Sequence, residues 1–552
     1  MSNSTENLGL FKYDPVADAK EKFNITDALN NNWDTVDEVI GDIASRAGIP
    51  PSNCKALKID KNGTTVKLNW KDPSDTVVND QTLCTWKKTI IVRKAGGYPE
   101  NEKDGTVILE NTNRNAYSLT PYTDTLPDSS NDYYYSAFPV SANGVVNLNE
   151  FNRFDKSEIY EFVIDPNNAL PSGCVSYPEG SINEKFTPAG MNYDSGVFDY
   201  GSWADAFFMD LFKPCMLKYD GTVDYYLDPN DYTKKLDGSA SDVADSSYGG
   251  NAMVQIGQIW INEEEINGRK HIRIANKKVN DNYDCYTHIK QDGTYNEFIY
   301  RGLFDGADVS GKIRSIKGLS MCKNMAGDTQ IAHATANGSG WDVDYYNVRR
   351  LINYLLVLIG KSLDTQSVFG TGRYTGYVST SNTNQIDTTG TLSNKGMFYG
   401  DNNNGLVKVF HIENWWGNIW KITKGIIQSG GKLLYKMCRG QHDGSTTDDY
   451  NLTGTGYIDS GVTLSGTISQ LYIKNMKLVP GLGLVPTADA GGSSSTYYCD
   501  GLWSNSSLVG FARFGSQPKG GLLVGCFSFL VHAAVSRSDY SYGVSLSYSN
   551  PL

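Results

Sequence analysis

Cys285 and His288 stand three apart, a spacing at which a thiolate and an imidazole can share one metal ion. A structural zinc site needs a second such pair, and none accompanies them. The six histidines are scattered, with no His-Glu-x-x-His helix motif. Glu263, Glu264 and Glu265 could supply a glycosidase carboxylate. That chemistry needs two carboxylates flanking one bond at a set distance, and the triplet reads more simply as a solvated turn after a strand ending at Ile261. The stretch Asp443 to Asp449, and more weakly Asp401 to Gly405, offers oxygen ligands for a structural calcium ion without EF-hand spacing. Gly370, Gly372 and Gly376 are wrongly spaced for a dinucleotide loop, and Gly-x-Ser-x-Gly is absent. Trp415, Trp416 and Trp420 could stack on a sugar, but large aromatics more often fill a core. These residues assign no catalytic group, no metal site and no cofactor.

A different pattern runs from Trp503 to Tyr548. Trp503, Phe514, Gly521, Phe527 and Gly543 read as framework. Between them lie Ser516, Gln517, Lys519, His532, Arg537, Ser538, Asp539, Tyr540 and Tyr542. Rigid aromatics interleaved with adaptable polar residues make a recognition face rather than a catalytic pocket. The alternative is an ordinary solvated edge.

The elements that would carry these residues fall into three stretches. In residues 1–49, Leu29, Trp33, Val36, Ile40 and Ile43 form a seam of period 3.5 after an N-cap at Asn24 or Thr26, ended by Gly48, Pro50 and Pro51. The seam predicts either a helix packed on its own chain or a short parallel bundle of identical chains. Residues 50–150 alternate apolar and polar residues in about seven short strands, as at Thr65–Trp70 and Thr89–Arg93, which predicts a β-sandwich. In residues 151–552, Val343 to Gly360 predicts a central buried helix among Gly- and Ser-interrupted strands, an α+β domain with long loops.

Composition narrows the function classes. Of 552 residues, 39% are hydrophobic and 20% charged, so the chain is globular. Net charge is −12 with no basic cluster, which argues against nucleic acid as a partner. The nine cysteines are odd in number and contain no Cys-x-x-Cys, which is no disulfide framework and fits synthesis in a reducing cytoplasm. The first residues lack a signal-peptide pattern, and no apolar run is long enough for membrane insertion.

Five stretches carry a family resemblance. Phe23–Asp34 resembles the virion-proximal part of bacteriophage tail appendages. Tyr354–Gly370, an apolar helix running into Lys-Ser-x-Asp-Thr-Gln, looks like a segment of phage tail proteins, as does Asn414–Trp420. Trp70 with the late run Tyr133–Tyr135 resembles a fibronectin type III module. The C-terminal 45 residues are similar to the C-type lectin fold of phage tropism determinants and formylglycine-generating-enzyme-like domains. Cys499 and Cys526 do not form those enzymes' motif, so oxidase activity is not implied. Arg513-Phe514-Gly515 stands where the family has Arg-Gly-Gly, and Ser538 to Tyr542 would be the positions that diversified members vary.

The resemblance implies a multidomain architecture: an N-terminal α-helical oligomerisation and anchor segment, a fibronectin type III-like β-sandwich spacer, then an α+β C-type lectin-like domain. Its implied function is a phage virion receptor-binding protein, a tail fibre or adhesin. It would be made in the host cytoplasm, form a homotrimer, join other virion proteins through its N-terminus and bind a bacterial surface glycan or protein. A structural head or baseplate decoration is the alternative, and a polysaccharide-degrading tail enzyme a third.

Overall fold

Alternation of apolar and polar residues places Val66, Leu68 and Trp70 on one face of a strand, and all three are fully buried. The computed structural model in which they sit describes residues 48–550 except 79–80, 129, 155–157, 291, 377–387, 437–449 and 518–520. Before residue 48 it describes only residues 3–4, 11–12, 33 and 36. The chain divides into two compact units, Met1–Lys156 and Ser157–Leu552.

The first unit contains β1 (Lys55–Asn62), β2 (Thr65–Lys71), β3 (Trp86–Ala95), β4 (Thr106–Asn111), β5 (Tyr122–Thr125) and β6 (Tyr133–Ser141). They form two antiparallel three-stranded sheets, ordered β1-β2-β5 and β6-β3-β4. Val66, Leu68 and Trp70 of one sheet share a core with Ile91, Tyr135 and Ala137 of the other. Asp72 is buried beside that core, and its carboxylate accepts from Trp70 Nε1, Thr89 Oγ1, Asn111 Nδ2 and the Asn115 N–H. A buried carboxylate with four donors has its lone pairs occupied, so its charge is tolerated.

The second unit is built on a fourteen-stranded sheet. Its elements include β7 (Ile159–Ile164), β8 (Phe212–Lys218), β9 (Gly250–Gly257), β10 (Trp260–Ile266), β11 (Arg269–Ala275), β12 (Phe298–Gly302), α1 (Gly327–Thr335) and β13 (Trp341–Tyr345). After these come α2 (Tyr346–Gly360), α3 (Thr365–Phe369), β14 (Trp420–Ser429), β15 (Gly501–Asn505), β16 (Gly510–Phe514), β17 (Phe529–Val531), β18 (Tyr542–Gly543) and β19 (Leu546–Tyr548). Neighbours in the large sheet run β8-β9-β12-β19-β13-β14-β16-β17-β15. The last strand of the chain thus lies between β12 and β13, in the middle of the sheet. Strands β7, β10 and β11 belong to a smaller sheet. In α2, Val348, Leu351, Ile352, Leu355, Leu356 and Ile359 recur at helical spacing, and every residue of the helix is buried. Lys361 ends it in the left-handed region, φ 50°, and donates its N–H to the Val357 carbonyl.

This architecture corrects the expected fold class. Among the described residues strand accounts for 38% and helix for 9%, so the fold is mainly β and not the expected combination of N-terminal helical segment, sandwich and α+β lectin-like domain. Val343–Tyr345, read as the start of the long helix, are strand. The C-terminal strands complete a sheet begun by residues 212–302. The physical reason is the spacing of Gly, Ser and β-branched residues, which favours short strands, and their partners lie far away in sequence. No N-terminal helical segment is seen among the described residues. Of the proposed seam, Leu29, Ile40 and Ile43 lie outside them. Trp33 and Val36 are described as helical, and Trp33 is 67% exposed.

Candidate functional site

The C-terminal segment supplies five strands to the large sheet, β15 to β19. Phe514, Phe527 and Leu546 are buried among them. Gly543 is required by close packing: a Cβ there would sit 2.7 Å from Ile419 Cδ1 and 3.0 Å from the Cys322 carbonyl oxygen. Between β17 and β18 the chain leaves the sheet at His532 and returns at Tyr542. In this loop Arg537 and Ser538 are exposed, and His532, Asp539 and Tyr540 are half-buried. Asp539 organises it. One carboxylate oxygen accepts from the Ser541 N–H and hydroxyl (3.0 and 2.7 Å), the other from Arg537 Nη2 at 3.4 Å. The Asp539 carbonyl accepts from the Asn324 N–H.

Tyr542 is not a surface residue. It is 3% exposed, and its ring lies 4.3 Å from the guanidinium carbon of Arg513 and 5.8 Å from that of Arg537. Arg513 on β16 is fully buried, and none of its three guanidinium nitrogens has a hydrogen-bond partner among the described residues. Burial lowers its pKa to about 10, so it remains charged at neutral pH. Burial also lowers the His532 pKa, and the Arg537 charge lowers it further, which favours the neutral imidazole. The structure therefore gathers Arg537, Asp539 and Tyr542 around Arg513, with His532 near Arg537 and Asp539. Ser516 and Gln517 are placed elsewhere. Ser516 is fully buried with φ 67°, just after Gly515, whose carbonyl accepts from the Gly417 N–H. Lys519 lies outside the described residues.

Beneath this segment lies a charge cluster that the sequence reading missed. Arg301 Nη2 and Arg349 Nε both approach the Asp344 carboxylate, at 3.3 and 3.4 Å, and Lys421 Nζ lies 3.3 Å from Asp305. All five side chains are at most 1% exposed. The Arg349 guanidinium stands 4.3 Å from the centre of the Trp415 ring. Burial lowers the Lys421 pKa to about 8, although Asp305 opposes the shift. These groups come from three stretches far apart in sequence, 301–305, 344–349 and 421, so no local motif announced the cluster.

The remaining sequence candidates are structural. Trp415, Trp416 and Trp420 are all buried, with Trp415 Nε1 donating to Asn353 and Trp416 Nε1 to the Gly370 carbonyl. Gly372 packs on that second tryptophan, where a Cβ would meet Trp416 Cδ1 at 2.6 Å. Glu263 is not in a solvated turn: β10 continues through Ile266, and the Glu263 side chain is 2% exposed. It accepts from Arg350 Nε at 2.9 Å and the Tyr354 hydroxyl at 2.6 Å. Glu264 and Glu265 are exposed. His288 Nε2 faces the Ile256 carbonyl at 3.0 Å and must donate to it, leaving Nδ1 to accept from the Thr287 hydroxyl at 2.7 Å. With the nearby Cys285 thiol 3.5 Å away, this is a buried neutral imidazole, its pKa lowered by burial to about 4. Among the described residues no three His, Cys, Asp or Glu side chains converge as metal ligands. Asp401 instead accepts from the Asn403 N–H, and Asp443–Asp449 lie outside the described residues. No helix among them is long and apolar enough to cross a membrane. No protein-family model matches this chain, and no curated protein does.

Proposed function

We propose that the chain is a phage virion protein that attaches the particle to a bacterial surface by non-covalent contact. The observation that carries this reading is the loop between β17 and β18. Both its ends are locked into a buried sheet, while Arg537 and Ser538 project to solvent and Asp539 and Tyr540 remain partly accessible. A rigid frame holding a short polar and aromatic loop presents contacts at low ordering cost. The contact set is Arg537, Ser538, Asp539 and Tyr540, with His532 beside them; Tyr542 and Arg513 support the loop from below. The resemblance of Tyr354–Gly370 and Asn414–Trp420 to phage tail proteins supports the virion assignment. Several copies per particle would add by avidity, and a homotrimer is the proposed unit.

The test is saturable binding of the purified full chain to intact cells of the phage's host, with competition against phage adsorption. Replacing both Arg537 and Tyr540 with alanine is expected to weaken cell binding at least tenfold without changing the melting midpoint. Absence of cell binding by the folded chain in its native oligomeric state would favour a decoration protein, whose loop is covered in the particle. Sedimentation equilibrium on the same material tests the trimer.

A further inference from the structure

The end of α2 opens onto a groove of about 400 Å³. That volume lies within the range of small-molecule sites. Its floor and walls come from four segments tied together by hydrogen bonds. The Tyr177 hydroxyl donates to the Leu358 carbonyl at 2.7 Å, and the Ala189 N–H donates to the Ile359 carbonyl at 2.7 Å. The Leu363 N–H donates to the Pro171 carbonyl at 3.1 Å, and the Tyr497 N–H to the Ala169 carbonyl at 2.8 Å. The groove is therefore built in advance of any ligand, which lowers the cost of binding.

Its chemistry is mixed in a specific way. Pro171, Pro188 and Val368 give it apolar surface, and Ser172, Ser367 and Ser495 give it exposed hydroxyls. One cation and one carboxylate line it, Lys361 and Asp364. Both keep unused bonding capacity. One Asp364 oxygen accepts from the Ser367 N–H at the start of α3, while the other has no hydrogen bond among the described residues. The Lys361 ammonium rests 4.7 Å from the centre of the Tyr177 ring without an ion-pair partner among them.

We propose that this groove binds a neutral hexose unit of a glycan. A pyranose has an apolar C–H face and a rim of hydroxyls that both donate and accept. The three apolar residues suit the face. Asp364 accepts from the rim, as does the Ser367 hydroxyl, whose proton goes to the Asp364 carbonyl, and Lys361, Ser172 and Ser495 donate to it. The opposite charges of Lys361 and Asp364 leave the groove without net charge, so a charged ligand gains no electrostatic preference. The motif that lines it is Lys-Ser-x-Asp-Thr-Gln, and its members divide their work. Lys361, Ser362 and Asp364 face the groove, whereas Thr365 Oγ1 accepts from the Cys526 N–H and Gln366 Nε2 donates to the Leu522 carbonyl. The motif thus joins the groove to the C-terminal segment, yet the groove is a separate site from the β17–β18 loop.

Ligand-observed saturation-transfer NMR on the full chain tests the proposal with methyl α-D-glucoside, galactoside and mannoside as probes, and with glucuronate and glucosamine as charged counterparts. At least one neutral hexoside is expected to bind, and more tightly than either charged sugar. Ser367→Phe and Ser172→Trp fill the groove from exposed positions, and each is expected to weaken binding at least tenfold with an unchanged melting midpoint. The proposal is overturned if no neutral hexoside binds, if a charged sugar binds best, or if both folded variants bind like the parent. It does not rest on the attachment reading: the Arg537 and Tyr540 double variant should keep hexoside binding, so the two can fail separately.

Discussion

Arg350 and Arg513 are both withdrawn from solvent in the same unit, and their surroundings differ in kind. Arg350, on α2, places Nη1 and Nη2 on the two oxygens of Asp284 at 2.7 and 2.8 Å, and Nε on Glu263 at 2.9 Å. Burial alone would lower its pKa, but the two carboxylates raise it far above the usual arginine range. Glu263 also accepts from the Tyr354 hydroxyl and the Gly481 N–H, so one network ties α2 to β10 and to two further segments. Arg513 has an aromatic face against it, and no hydrogen-bond acceptor among the described residues. The difference teaches where this fold is over-determined and where it is not. The α2 end is pinned by directional bonds, while the layer under the proposed contact loop is held by shape and a cation–π contact. Contact loops are commonly drawn from the less stabilised parts of a structure.

The largest expected effect follows from breaking the satisfied side. Arg350→Met would leave Glu263 and Asp284 facing a methionine, with Glu263 still buried. Removing one partner of a buried pair costs about 3–5 kcal/mol. Urea unfolding of the full chain should show the larger unit losing that much unfolding free energy, its transition moving to lower urea in proportion. A loss under about 1 kcal/mol, the range of exposed pairs, would mean that the Arg350 network is solvated and that the contrast with Arg513 is not real.

Lys421 is the intermediate case, with one carboxylate at 3.3 Å and one backbone carbonyl, that of Asn414, at 2.5 Å. Its pKa in the folded chain is about 8, below the ordinary lysine value of 10.5, because burial disfavours the charge. Between those values the unfolded chain holds more protons than the folded one, so this residue makes stability rise with pH. Below pH 8 both states are protonated and its contribution is flat. Buried thiols act oppositely: burial raises Cys285 to about 12 from 9.0, so its stabilising contribution is lost as pH rises through that window. The difference between parent and Lys421→Met isolates the lysine. The parent should gain on the variant as pH rises from 8 to 10.5, at up to about 1.4 kcal/mol per pH unit. A difference independent of pH would place Lys421 with the fully satisfied cations, beside Arg350.

How far this was legible in the sequence depends on the range of the interactions. Thr65–Trp70 and Val348–Ile359 carry their periods within one element, and strand β2 and helix α2 appear where the periods put them. Glu263, Glu264 and Glu265 are identical in type, yet only the first is buried against Arg350 of α2, while Glu264 accepts from Arg273 at an exposed position. Ser516 and Tyr542 look like surface residues by type, and are buried. Part of the cover of Tyr542 comes from far away in sequence, as from Gln330, whose side chain donates to the Tyr542 carbonyl. The α+β class expected for residues 151–552 failed for the same reason. Gly-interrupted apolar stretches are ambiguous locally, and the pairing of residues 212–302 with the last strand of the chain decides them as sheet.

The smallest expected effect is at Arg513. Arg513→Met removes no hydrogen bond to a described residue. It removes a cation–π contact of up to about 2 kcal/mol, and it relieves the desolvation of a buried guanidinium, which is of opposite sign and comparable or larger size. The net change in unfolding free energy should lie within about 1 kcal/mol of zero, or stabilise, since buried cations replaced by apolar side chains are often neutral or favourable. Host-cell binding should fall less than in the Arg537 and Tyr540 double variant, because Arg513 only supports the loop through Tyr542. A stability loss as large as that of Arg350→Met would show that Arg513 finds acceptors in solution. Asp539 is the nearest candidate for one, released from its 3.4 Å contact with Arg537, and Asp539→Asn in the same assay would then reproduce part of the loss. That result would erase the difference between the two arginines and make the loop as firmly held as the α2 end.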